Sequence, residues 1–314
     1  MLLAAEGISW MQAGVIGLVE GLTEFLPISS TAHMAIVPQL LRWPDPGAAF
    51  SAIVQLGPIA AIVTYFREEL RQFARGIWRT KTPFRVAPGD TEARLGWYAL
   101  LASLPILLAG KLLEHYIEGP FRSLYVIAGA LIFYGAVLWA AEKLSRQTRP
   151  LEEMGFLQSQ FVGWMQCLAL IPGVSRSGAT ISAALFLGFT HESAARFAFL
   201  LSIPPLAAAG LYEFYKDVLR AGGGLPPGPT FFGMLVAAVS AYMVIDWFLR
   251  IVRRYGTAPF IVYRIALGTL LLLLLHSGLL QDNTPSIARA GSPGAIPVTQ
   301  TVLTQSPDHG NPHP

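Results

Sequence analysis

The stretch GLTEFLPISSTAH (residues 21–33) interrupts an apolar run that starts near residue 8. Glu20 and Glu24 stand four apart, so a helix carries both on one face. Pro27 removes a backbone donor and disfavours helical geometry at the residue before it, so the helix stops there. Ser29 or Ser30 then caps a second half-helix. His33 follows Ser30 by three positions, on the same helical face and within hydrogen-bonding reach. Two carboxylates in an apolar helix cost energy unless a cation or a proton offsets them. Ionisable groups inside a membrane are functional by default, so the pair reads as a divalent-cation site or an acid/base pair. The competing reading is an interfacial pair facing water, with serines that serve only as caps. A serine and a histidine beside carboxylates can supply a nucleophile and a general acid/base.

A second break, PGVSRSGAT (residues 172–180), is richer in donors. Gly173 and Gly178 let the backbone turn sharply or approach a ligand. Ser175, Ser177 and Thr180 offer hydroxyls, and the Arg176 guanidinium matches phosphate oxygens in a planar fork. A helix starting here points free N–H groups and its positive end at an anion. The blander reading is that Arg176 only pairs with Glu20 or Glu24. Together the breaks describe phosphoryl transfer or hydrolysis at a membrane-embedded site, with a lipid-linked phosphate as substrate.

The surrounding chain supports that setting. Of 314 residues 53% are apolar and 13% charged, against roughly 25% charged in soluble domains. Mean hydropathy is +0.50. The formal charge of +3 does not suggest a nucleic-acid partner, because basic residues in a membrane protein usually mark cytoplasmic loops. One cysteine, Cys167, excludes an internal disulfide and a cysteine-rich metal site. The N-terminal stretch lacks a basic region and contains Glu6, Glu20 and Glu24, so it is expected to be retained.

Six segments are long and apolar enough to span: roughly 48–66, 95–113, 122–141, 194–215, 230–250 and 258–280. Basic residues cluster after the first (Arg67 to Arg94), after the third (Lys143, Arg146, Arg149) and before the last (Arg250, Arg253, Arg254). Arg42, Lys111, Arg122, Lys216 and Arg220 are sparser, on the opposite loops. All three clusters are cytoplasmic if the two broken segments, about 8–43 and 158–190, are re-entrant hairpins and both termini lie outside. The expected fold is therefore an all-α integral membrane protein, with about six transmembrane helices and two re-entrant broken hairpins in an inverted-topology repeat. The halves run 1–150 and 151–280, and 281–314 read as a disordered tail. Inverted repeats with broken helices place binding sites near the midplane. They are more typical of transporters, so a transporter or flippase for a phosphate-bearing substrate is the main alternative, with the glutamates serving coupling ions. The Ser/His pair argues for chemistry, since transport needs no nucleophile. Gln55 and Gln166 are candidates to support the site. Arg196 and Arg264 read as snorkelling cations near span ends, and His115, His191, His276, His309 and His313 belong to no motif.

VEGLTEFLPISSTAH (19–33) and PGVSRSGAT (172–180) resemble the two signature regions of the undecaprenyl-diphosphate phosphatase family, the bacitracin-resistance type. QLG (55–57), ARFAFLLSIP (195–204) and YRIALG (263–268) are similar to further family segments. The resemblance covers roughly residues 8 to 280. It implies a multi-pass enzyme of the bacterial inner membrane that hydrolyses undecaprenyl diphosphate to undecaprenyl phosphate and inorganic phosphate. Such an enzyme recycles the lipid carrier for wall synthesis and protects against bacitracin. It further implies dependence on a divalent cation (Mg or Ca), a site facing the periplasm, contact with membrane lipids, and a homodimer. By motif, Glu20 and Glu24 are expected at the metal. Ser30, His33, Glu24 and Arg176 are expected in catalysis, with Ser30 as nucleophile, His33 as its rival for that role, and direct attack by metal-bound water as a third course. Ser29, Ser175, Arg176, Ser177, Gly178 and Thr180 are expected at the phosphate.

Overall fold

The computed structural model describes residues 8–87, 89–113, 116–117, 120–216 and 224–282. The expected tail lies outside these beyond position 282, as do Glu6, His115, Arg220, His309 and His313. The described residues are helical with a single isolated bridge, Arg149 to Phe189, and no strand. The protein is an all-α, multi-pass membrane protein.

The first broken segment is α1 (Trp10–Thr23) followed by α2 (Ser30–Leu40). Next come α3 (Gly47–Val54) and α4 (Leu56–Tyr65), then α5 (Arg67–Thr80). The stretch Ala49–Tyr65 meets α5 at a bend of 82°. Its sequence, REELRQFARGIWRT, is too charged to cross a bilayer, and it buries Phe73, Gly76 and Thr80. Helices α6 (Thr91–Ala102) and α7 (Leu104–Leu112) together make one apolar length, and α8 (Leu124–Leu144) the next. The second broken segment is α9 (Phe156–Gln166), a 3-10 turn at Cys167–Leu170, and α10 (Arg176–Phe186). Three long helices finish the fold: α11 (His191–Phe214), α12 (Pro227–Tyr255) and α13 (Ala258–His276). Five helical lengths are long and apolar enough to cross a membrane, and a sixth if Ala49–Tyr65 and α5 count as one.

Small residues hold the broken segments in place. In lipid there is no hydrophobic drive between helices, so backbones approach closely where side chains are absent. A Cβ on Gly17 would lie 2.2 Å from the Gly233 carbonyl oxygen, and one on Gly21 would lie 2.4 Å from that of Ala237. Helix α1 therefore lies directly on α12. Likewise a Cβ on Gly163 would lie 2.2 Å from the Ala102 oxygen, so α9 lies on α6. Phe25, inside the first break, is anchored by Phe199 with ring centroids 5.1 Å apart. Phe199 in turn meets Phe248, and Phe248 meets Phe260.

Polar contacts between loops and helix ends tie each side of the fold together. Arg122 pairs with Asp45, and Ser123 bonds Asp282, joining loops expected on one side. Arg196 pairs with Glu69, Arg253 with Glu192, and His191 with Glu142, joining ends expected on the other. Arg196 is thus tied to α5 rather than free to snorkel.

Candidate active site

The two breaks meet each other in the interior. Ser29 and Ser175 occupy equivalent places, each the cap of the following half-helix and each with positive φ, 72° and 74°. Non-glycine residues rarely adopt this geometry, and it costs of order 1–3 kcal/mol where it persists. Each serine accepts the N–H three residues on, from Ala32 at 3.3 Å and Gly178 at 3.1 Å. Each also meets the hydroxyl two residues on, Thr31 or Ser177, at 3.0 Å. The breaks are tied reciprocally: Gly173 N donates to Ser29 Oγ at 3.2 Å, and Ser177 Oγ donates to the Leu26 carbonyl at 2.9 Å. The likeness extends to the entry helices. Ser9 N bonds Gln12 Oε1, and Gly155 N bonds Gln158 Oε1, both at 2.9 Å.

Within this shared frame most side chains differ, those of the expected site among them. At constant spacing, Glu20 corresponds to Gln166, Glu24 to Leu170, Ser30 to Arg176 and His33 to Ala179. Of these, Glu24, Ser30 and Arg176 converge. Glu24 is buried, and its two oxygens are divided between partners. Ser30 Oγ donates to Oε2 at 2.5 Å, and Arg176 Nη2 donates to Oε1 at 2.5 Å. One carboxylate thus joins a hydroxyl from the first break to a guanidinium from the second. Such charge-assisted bonds are short and strong. Glu20 is sealed from solvent, and its oxygens accept no hydrogen bond, although Glu24, Gln55 and Arg176 surround it. Gln166 is likewise buried with both amide atoms unsatisfied.

Some expectations are redrawn by this geometry. Ser30 and His33 do not bond each other. His33 Nδ1 lies 2.8 Å from the Ser29 carbonyl oxygen, and Nε2 lies 2.7 Å from the Tyr263 hydroxyl. Shared helical face gives proximity, but the left-handed Ser29 supplies a competing acceptor. The Thr180 hydroxyl donates back to the Arg176 carbonyl at 2.8 Å, within its own helix, so it does not point a proton at a phosphate. Ser177 spends its proton on Leu26, which leaves Ser175 to donate to Ser177. Gly178 has a packing reason to lack a side chain, since a Cβ there would lie 2.9 Å from Arg264 Nη1.

Arg264 is not a snorkelling cation. It is 0% exposed. Its Nη1 donates to Pro27 O at 2.9 Å, and Nη2 donates to Gly173 O at 2.8 Å and Val174 O at 2.9 Å. One guanidinium satisfies carbonyls that both helix breaks leave without helical partners, which non-helical backbone in a membrane requires. Arg264 sits six residues into α13, roughly 9 Å from its start at 1.5 Å per residue. That depth is the signal that separates a buried clamp from an interfacial arginine. Tyr263, beside it, lies in the same family-like segment, YRIALG, but spacing gave it no role.

For a cation, no group of three His, Cys, Asp or Glu side chains converges among the described residues. The available donors are oxygens: the Glu20 and Glu24 carboxylates and the Gln55 amide. That set fits a hard divalent ion held by one or two carboxylates and completed by substrate phosphate oxygens and water. The unsatisfied oxygens of Glu20 are the observation that favours it.

Residues 13–270 match the family model described as bacitracin resistance protein BacA. A protein of Myxococcus xanthus named undecaprenyl-diphosphatase is 46% identical over 301 residues, covering 94% of this chain and 99% of the relative. Proteins of the same name from Micrococcus luteus and Streptomyces griseus are each 44% identical, covering 87% and 88% of this chain and 99% and 98% of the relatives.

Proposed function

The chain belongs to the bacitracin resistance protein BacA family, and from that membership we infer that it hydrolyses undecaprenyl diphosphate to undecaprenyl phosphate and inorganic phosphate. It is a membrane-embedded hydrolase that returns a lipid carrier to cell-wall synthesis. The transporter reading is not favoured. The observation that carries the mechanism is the Glu24 carboxylate placed between the Ser30 hydroxyl and the Arg176 guanidinium, 2.5 Å from each.

In the mechanism we propose, Ser30 Oγ attacks the terminal phosphorus as its proton passes to Glu24 Oε2. The bond from that phosphorus to the bridging oxygen breaks, and undecaprenyl phosphate departs. Arg176 turns from Glu24 to the equatorial oxygens, where its charge is worth most in the transition state. Water then attacks the phosphoserine, giving its proton to His33 Nε2. Ser30 Oγ leaves and recovers its proton from Glu24, phosphate is released, and His33 passes the water-derived proton to solvent. Glu20 and Glu24, with the Gln55 amide, are the groups proposed to hold a Mg or Ca ion. When bound, that ion supplies charge neutralisation for the diphosphate and offsets the paired carboxylates. Ser29, Ser175 and Ser177 serve mainly to fix the two breaks, and the N–H groups at the start of α10 face the anion.

The like construction of the two breaks supports two halves of opposite topology, divided near residue 150. With the basic loops cytoplasmic, the first hairpin enters from outside, in the inner membrane, and the site opens to the periplasm. A homodimer is proposed on the family resemblance alone.

The test is phosphate release from undecaprenyl diphosphate by the purified protein in detergent. Release that stops with EDTA and returns with Mg or Ca is expected. A folded protein that binds the lipid without releasing phosphate would reinstate transport, and release undiminished by EDTA would remove the cation.

A further inference from the structure

The Tyr263 hydroxyl stands 2.7 Å from His33 Nε2, with the two ring planes within 10° of parallel and centroids 5.7 Å apart. The other ring nitrogen faces the Ser29 carbonyl at 2.8 Å. A carbonyl only accepts, so Nδ1 carries the proton. In the neutral ring Nε2 is then the acceptor, and Tyr263 must donate to it.

The internal likeness of the chain gives this pair a counterpart in the other half. Helices α8 and α13 cross through matched contacts. A Cβ on Gly135 would lie 2.8 Å from Ile265, and one on Gly268 would lie 2.7 Å from Ile132. Gly135 therefore corresponds to Gly268 and Ile132 to Ile265. Two residues before those isoleucines, Ala130 corresponds to Tyr263, as Ala179 does to His33. Ala130 and Ala179 pack in one apolar cluster with Tyr134 and Val174. The partner positions are therefore neighbours in both halves. They are both alanine where no carboxylate or nucleophile is present, and His with Tyr where Glu24 and Ser30 are.

We propose that Tyr263 is a positioning residue for His33, donating its hydroxyl to Nε2 so that the ring is held as the Nδ1–H tautomer with Nε2 unprotonated and able to take a proton. In the step assigned to His33, the attacking water takes the place of the Tyr263 hydroxyl at Nε2. No bond to the substrate is assigned to it. The inference rests on His33 acting as the base in the phosphatase reading above.

The experiment is a double-mutant cycle of Tyr263→Phe and His33→Ala, reading kcat and KM for undecaprenyl diphosphate. It is paired with 15N-histidine NMR of the protein in nanodiscs, the His33 signals being assigned by their loss in His33→Ala. Tyr263→Phe is expected to lower kcat about tenfold, the size of one lost hydrogen bond, with KM within about twofold. It should shift the Nε2 resonance and cause no further loss in the His33→Ala background. Equal losses in both backgrounds, or an Nε2 resonance that does not move, would overturn the proposal. His33→Ala with undiminished kcat would instead remove the role of His33 itself, a separate failure. The NMR arm decides even if the His33→Ala enzyme is too slow to assay.

Discussion

At the scale of single residues, the account separates serines that perform chemistry from serines that hold backbone. Ser30→Ala should abolish turnover while the protein stays folded, because its hydroxyl serves only Glu24. Ser29→Ala removes the acceptor for Ala32 N and Gly173 N, and should lower stability by about 1 kcal/mol, the usual worth of an N-cap. Thermal unfolding in detergent, read beside turnover, distinguishes the two. Arg264 is more exacting. Arg264→Leu strands the carbonyls of Pro27, Gly173 and Val174, each worth about 1–3 kcal/mol when left unpaired. Arg264→Lys should recover only part of the lost midpoint, since an ammonium cannot span three acceptors as a planar fork does. Full rescue by lysine would show that charge, rather than geometry, is what the site needs. The sequence made Ser30, Glu24 and Arg176 legible because charged and hydroxylic residues at a proline break have few other uses in lipid. It did not make the His33–Tyr263 contact legible. Spacing gives a shared face on α2, while the partner comes from α13 and depends on how the ring turns.

At the scale of elements, the breaks are placed by close backbone contacts rather than by propensity. Both apolar entry helices contain a glycine whose absent Cβ lets a neighbouring carbonyl approach to 2.2 Å of the Cβ position, Gly17 and Gly163. Gly17→Val should force α1 away from α12 and cost about 1–3 kcal/mol, as overpacking does elsewhere. It should also cut turnover, because Glu20 and Glu24 follow on α1 and at its end. An unchanged unfolding midpoint and rate would mean that α1 is not set by this contact. Apolar runs and prolines were enough to mark the broken segments and the spans in advance. The charged stretch after Tyr65 read only as a basic loop. It is a helix, α5, because Phe73, Gly76 and Thr80 recur on one side and pack toward Ala93.

At the scale of the whole molecule, the site is composite. Neither half contains both the proposed nucleophile and the Arg176 guanidinium, each break bonds the other's backbone through Ser29 and Ser177, and Arg264 of α13 joins both. The halves therefore should not act, or be stable, apart. The sidedness is testable with impermeant maleimide on spheroplasts, after replacing the one cysteine, Cys167, by alanine. Asp45→Cys should label from outside, whereas Arg85→Cys should label only after lysis. The reverse pattern would turn the site toward the cytoplasm. Arginine placement predicts the sidedness that this labelling tests, whereas the pairing of the two breaks rests on contacts between residues far apart in the chain.

The central claim is that Glu24 activates Ser30 opposite Arg176. Its most direct test is the steady-state rate of phosphate release from undecaprenyl diphosphate by Ser30→Ala, Glu24→Gln and Arg176→Ala, set against Ser29→Ala, in folded and cation-saturated protein. The account predicts losses of at least about 100-fold in the first three and at most about tenfold in the last. A Ser30→Ala enzyme that retains near-normal turnover would contradict it and return the nucleophile to His33 or to water.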